Sequence, residues 1–292
     1  YKKPRRIMIT KFENIELLDA FISKELKHDK AKLYAMKKAS FKEADSFSFD
    51  LSKLDSKDES IKTIVTNPII DANKIRVKSI INTTNLLDSH GDVHIKNIWK
   101  KSIQETKSMY LLNSHVQKFD HVITDNVTPF AQTMSWKSLG FDFEGNTQAL
   151  VFDSIIEKSK YNELMFDMYA SGKVKNHSVG MQYVKILYCV NSDDSYWQEE
   201  KANWGKYINE VANKDEAESA GNFWAVLEAK IIEGSAVLRG SNYATPTQSV
   251  TEVKNEAEII TSTIIEPSQD TQITNNAQSK VQKLLSINNQ KK

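Results

Sequence analysis

From residue 75 to residue 232 the apolar side chains come mostly in short runs, and this spacing constrains the fold more than any other feature. Ile75, Val77 and Ile80 to Ile81 are followed by 109–112, 121–123, 131–139, 148–152, 177–186 and 223–232. Each run has strand length and sits between turn-forming residues. One helix is expected among them. Ser154-Ile155-Ile156-Glu157 has the form of a capping box, Tyr161, Leu164, Met165 and Met168 recur at i, i+3, i+4 and i+7, and Gly172 is placed to end the element. Its methionine stripe fits core packing better than a cofactor box. Residues 191–222 are polar and read as a surface excursion. The class expected is therefore α+β.

The flanks differ from this β-rich body. Thr10-Lys11-Phe12-Glu13 has capping-box spacing, and Leu18, Phe21, Ile22 and Leu26 follow at helical intervals. Residues 40–60 are dense in Ser, Asp and Lys and read as a linker. This divides the chain into a basic helical arm with linker over 1–72, a main domain over 73–246 and a polar tail over 247–292. The tail has no Trp, Tyr or Phe and cannot bury enough apolar surface to offset its ordering entropy. Within it, Val281, Leu284 and Leu285 suggest a short docking helix. Net charge is +1 but uneven, with 18 Lys and Arg against 12 Asp and Glu in residues 1–80, and 16 against 21 in residues 81–246. Without aromatic interleaving or a DNA-reading motif, the basic arm is expected to be a solvated surface, and nucleic acid is not an expected partner.

No apolar run reaches the ~18 residues of a membrane helix, and Lys11 and Glu13 interrupt any signal-peptide core. The expectation is a cytoplasmic protein that does not engage a membrane. The lone Cys189 is expected to be buried and inert. No Gly-rich phosphate loop is present, so no nucleotide or other cofactor is expected.

Three histidine-bearing segments could carry chemistry: Asp88-Ser89-His90-Gly91-Asp92-Val93-His94, Leu112-Asn113-Ser114-His115 with Asp120-His121, and Asn176-His177-Ser178-Val179-Gly180. The H-x3-H spacing of His90 and His94 would suit zinc on a helix, yet Gly91, Asp92 and Val93 are poor helix residues. A turn built on Gly91 is the expected form, and no metal is expected. His115 closes a short apolar strand, from which a side chain can be held rigidly at a cleft. Ser178, Gly180 and Gln182 share one face of a strand whose other face is apolar, an unusual placement for small polar residues. Glu228 is an isolated carboxylate in an apolar strand and needs a partner, which an imidazole can provide.

In order and spacing these residues resemble the prohead protease family of tailed phages, an assemblin-like group related to the herpesvirus maturation proteases. Asp88-Ser89-His90-Gly91-Asp92 with Trp99 is similar to its first block, and Met109 to His115 to the strand ending in the catalytic histidine. Tyr161 to Gly172 followed by Asn176-His177-Ser178-Val179-Gly180 resembles its helix and Ser-x-Gly strand. Leu227-Glu228-Ala229-Lys230-Ile231-Ile232-Glu233-Gly234-Ser235-Ala236 resembles the fourth block, with Ser235 where the family often has proline. The resemblance covers about residues 75 to 246. It implies a β-barrel-like antiparallel protease core with surrounding helices, a helical N-terminal arm and a flexible C-terminal tail.

The activity it implies is that of a serine endopeptidase using Ser178 as nucleophile, His115 as base and Glu228 as third member, with His90 or Asp120 as alternatives for the third place. Major capsid protein, scaffold and the protease itself would be substrates in head maturation, with self-association, in the host cytoplasm and inside the prohead or virion. An inactive scaffold or capsid-interior protein on the same fold is the alternative.

Overall fold

The computed structural model describes residues 30–39 and 73–253. The arm's expected helix around residues 10–26 and the expected docking helix near Val281 lie outside these residues. Within them the chain is α+β and sheet-dominated. Four strands form an antiparallel sheet in the order β5 (Val127–Ser135), β6 (Asn146–Glu157), β1 (Lys74–Thr83) and β9 (Thr247–Glu252). The second sheet is mixed and is organised by β8 (Asn222–Val237). β7 (Asn176–Val190) runs antiparallel along the whole of one edge of β8. The opposite edge takes two short parallel strands, β2 (Asp92–His94) against Trp224 to Val226 and β3 (Leu111–Asn113) against Gly234 to Ala236. β4 (Val122–Thr124) then pairs with β3.

This corrects the barrel-like antiparallel expectation: the strands make two open sheets, and β2 and β3 are parallel to β8. The sheets are held by shared apolar burial. Ile75, Val77, Ile81 and Phe152 of the first contact, in one core, Leu111, Val179, Met181 and Ile231 of the second. The opposite faces are covered as well: Ile80, Ala149 and Val151 of the first sheet pack with Trp136 and Leu139, and Cys189, Phe223 and Ala225 of the second with Trp204 and Tyr207, so the central strands read as apolar runs.

Four other expectations shift. The Ser154 to Glu157 capping box is the end of β6, where Glu157 pairs with Lys74. The helix starts later, at Glu163–Ala170, and buries Phe166, Tyr169 and Ala170, leaving Tyr161 and Leu164 exposed. The 191–222 excursion is ordered as two helices, Gln198–Tyr207 and Lys214–Ala220. Trp204, Tyr207, Ile208 and Val211 pack there with Val93, Phe223 and Ala225, a second core hidden in a polar composition. Finally, Thr247–Glu252 belongs to the first sheet, so the expected tail boundary at 247 falls six residues too early.

The helix preceding β1, α1 (Lys30–Ala39), is tied down by cations meeting buried acids. Lys30 Nζ lies 2.7 Å from Glu200 Oε2, and Lys37 Nζ 2.6 Å from Asp92 Oδ1. These lysines of the basic arm are thus bound within the chain rather than simply solvated. Among the described residues no helix is long and apolar enough to cross a membrane.

Candidate active site

β3 delivers His115 to β8. Parallel pairing sets Leu111, Leu112 and Asn113 opposite Gly234, Ser235 and Ala236, and Ser114 N then donates to Ala236 O at 3.0 Å. Ser114 (φ 57°) and His115 (φ 59°) are both left-handed, a conformation that costs non-glycine residues of order 1–3 kcal/mol each. The reversal folds the imidazole back over the sheet. His115 Nδ1 lies 2.6 Å from Glu233 Oε1, and both side chains are almost wholly buried. Glu233 Oε2 accepts a hydrogen bond from Ser235 Oγ at 2.7 Å, and the same Oγ accepts from His115 N at 3.0 Å.

An ionised carboxylate accepts only, so the ring donates Nδ1–H, and in the neutral imidazole the lone pair is then on Nε2. That Nε2 is buried and has no hydrogen-bond partner among the described residues.

Ser178 lies beside this pair. On β7 it is the cross-strand partner of Ser235, and Gly180 is the partner of Glu233, so all four positions share one sheet face. Gly180 is needed for room: a Cβ there would stand 2.1 Å from Glu233 Oε1. Gly240 closes over the other side, where a Cβ would meet His177 O at 2.7 Å and Ser178 Cβ at 3.5 Å. Ser178 is largely buried and its hydroxyl is not bonded to His115 Nε2. Such bonds are commonly long before substrate arrives.

The structure brings Ser178 and His115 to one place and leaves the expected third member elsewhere. Glu228 is half-exposed, pairs across the sheet with Lys185 and lies 3.7 Å from Lys101 Nζ. The carboxylate on His115 is that of Glu233. Residues five apart on a regular strand face opposite sides, and β8 meets β7 through register shifts at Gly180/Met181, Tyr183/Lys185 and Lys185/Ile186. Of the alternatives, Asp120 is exposed on a turn of 3-10 helix, while His90 sits in the 88–92 turn. Glu233 missed notice because the strand was expected to stop at Ile232. Its position two residues before Ser235, on the same side of the strand, was the available signal.

Comparison with known proteins gives no match. No family model, curated protein or solved structure matches the chain.

His177 and His94 are engaged elsewhere. His177 is fully buried and bridges Thr245 O (Nδ1, 3.2 Å) and the Tyr169 hydroxyl (Nε2, 2.9 Å), and burial lowers its pKa from 6.5 to about 4. It is a neutral structural imidazole. His94 lies on a strand, so the His90/His94 helical face does not form. Asp88, Asp92 and His94 do bring their ligand atoms within 4.8 Å of one another. Their donors are already used: Lys37 and the Tyr183 hydroxyl bind Asp92, Asp88 accepts two backbone N–H groups, and His94 meets Asn82 and Tyr183. Lys37 Nζ lies 2.6 Å from Asp92 Oδ1 and donates to His90 O at 3.3 Å. Gly91, at φ 72°, makes the turn expected of it. Burial raises the Cys189 thiol to about 12, so it is not a thiolate nucleophile at neutral pH.

Proposed function

We propose that the chain is a serine endopeptidase acting through Ser178 and His115, with Glu233 in the third place. The observation that carries this reading is the buried imidazole held by a carboxylate at Nδ1 and, among the described residues, without a hydrogen-bond partner at Nε2, beside a serine on the Glu233 face of the sheet.

The steps follow from that arrangement. His115 Nε2 takes the proton from Ser178 Oγ as the oxygen attacks the scissile carbonyl carbon. Glu233 keeps the proton-bearing nitrogen turned inward and favours the imidazolium so formed. Collapse of the tetrahedral adduct breaks the C–N bond, and the imidazolium gives its proton to the leaving amine. Water, deprotonated by the same Nε2, then attacks the acyl carbon, the bond to Ser178 Oγ breaks, and the imidazolium returns its proton to Oγ, freeing the acid and restoring the serine. Substrates of the prohead-protease type, namely capsid-protein extensions, scaffold and the chain itself, are proposed on the sequence resemblance, as is an assemblin-like ancestry for the sheets.

A fluorophosphonate probe tests the reading, since it reports an activated serine directly. Incubation of the full chain should give one adduct, mapped by mass spectrometry to Ser178 and absent from Ser178→Ala and His115→Ala. No adduct, as an inactive scaffold would give, or an adduct that persists in Ser178→Ala, overturns it.

A further inference from the structure

We infer that Ser235 is a positioning residue for the His115–Glu233 pair, with one hydroxyl holding both partners. A serine hydroxyl has one proton to donate and lone pairs to accept with. Here the proton goes to Glu233 Oε2 at 2.7 Å, and a lone pair receives His115 N–H at 3.0 Å. Ser235 has no solvent exposure, so water does not compete for either bond.

Both contacts act where the site is least able to hold itself. Ser114 and His115 are consecutive left-handed residues, and the Ser235 bond anchors the second of them. Glu233 sits over a glycine, so no side chain on β7 packs against its carboxylate from that side. Ser235 fixes the oxygen not used by His115, and this prevents the carboxyl group from turning away from Nδ1. The inference deepens the endopeptidase reading and rests on it for the consequence in rate. The hold on the pair can be tested separately.

Two measurements on the full chain do this: the downfield proton resonance of the His115 Nδ1–H, and the rate of fluorophosphonate labelling at Ser178. Ser235→Ala should broaden or abolish the resonance and slow labelling about tenfold to a hundredfold, by analogy with the loss of hydrogen-bond partners that orient metal-ligating histidines. Ser235→Thr, which keeps the hydroxyl, should retain the resonance and most of the rate. Melting temperature is followed for each variant. An unchanged resonance and rate in Ser235→Ala overturn the inference, as does an equal loss in Ser235→Ala and Ser235→Thr that follows melting temperature. Labelling that persists in Ser178→Ala overturns the endopeptidase reading instead, and the resonance still decides whether Ser235 holds the pair.

Discussion

Gly180 shows how a single missing side chain can be a functional requirement. Its place opposite Glu233 gives the carboxylate the room it occupies, and a methyl group there would overlap Oε1. Gly180→Ala should therefore push Glu233 off His115 and reduce Ser178 labelling about a hundredfold, the cost of an ångström-scale misplacement. Overpacking should cost only about 1–3 kcal/mol of stability. Wild-type labelling in a folded Gly180→Ala protein would show that Glu233 does not serve His115. Ser178 and Gly180 could be placed on one strand face because a two-residue period is visible in a few letters, whereas His115 stood out as the end of a short apolar strand, and the roles of Ser178 and His115 were implied by the family resemblance. Glu233 was not legible, because its face depends on where β8 ends and on irregular pairing with β7, which involve residues some 50 positions away.

At the scale of elements, most strands were legible, but their ends were not, and β2 and β9 fell where a turn and a tail were expected. β6 runs to Glu157 because β1 offers it a partner at Lys74, and this pairing overrides a capping signal that local sequence alone would favour. The helices over 198–220 carry few apolar residues, yet aromatic rings place enough area in the core for them to fold. The first helix offers a direct test. Lys37 meets Asp92, whose side chain is buried, whereas Lys38 is exposed. Lys37→Ala should lower stability by about 3 kcal/mol, the low end for breaking a buried ion pair, and Lys38→Ala should change it little. Equal melting temperatures for the two variants would show that this helix does not support the sheet. β9 gives the second test: truncation after Pro246 removes a strand paired with β1 and should melt well below truncation after Val253. If the two truncated chains melt alike, β9 adds nothing to the sheet.

For the molecule as a whole, the buried neutral His177 sets an acid limit. Its folded pKa of about 4 lies below the ordinary value of 6.5, so between these values the unfolded chain binds a proton that the folded chain excludes. Stability should be full above about pH 6.5 and fall by up to about 3 kcal/mol as pH drops to about 4. Below that pH this loss stops growing. His177→Gln cannot titrate, and its melting temperature should vary less across the window. Parallel curves for the two proteins would show that His177 is not the cause.

Parallel pairing of β3 with the far end of β8 also has a consequence in time. His115 leaves the ribosome about 120 residues before Glu233 and Ser235, a delay of roughly 10 s at usual elongation rates. Throughout that interval the imidazole has neither its carboxylate nor the hydroxyl that anchors its backbone. On the proposed endopeptidase reading, a nascent chain therefore carries Ser178 and His115 as inert side chains, and would gain the means to cut only when β8 slots between β7 and β3.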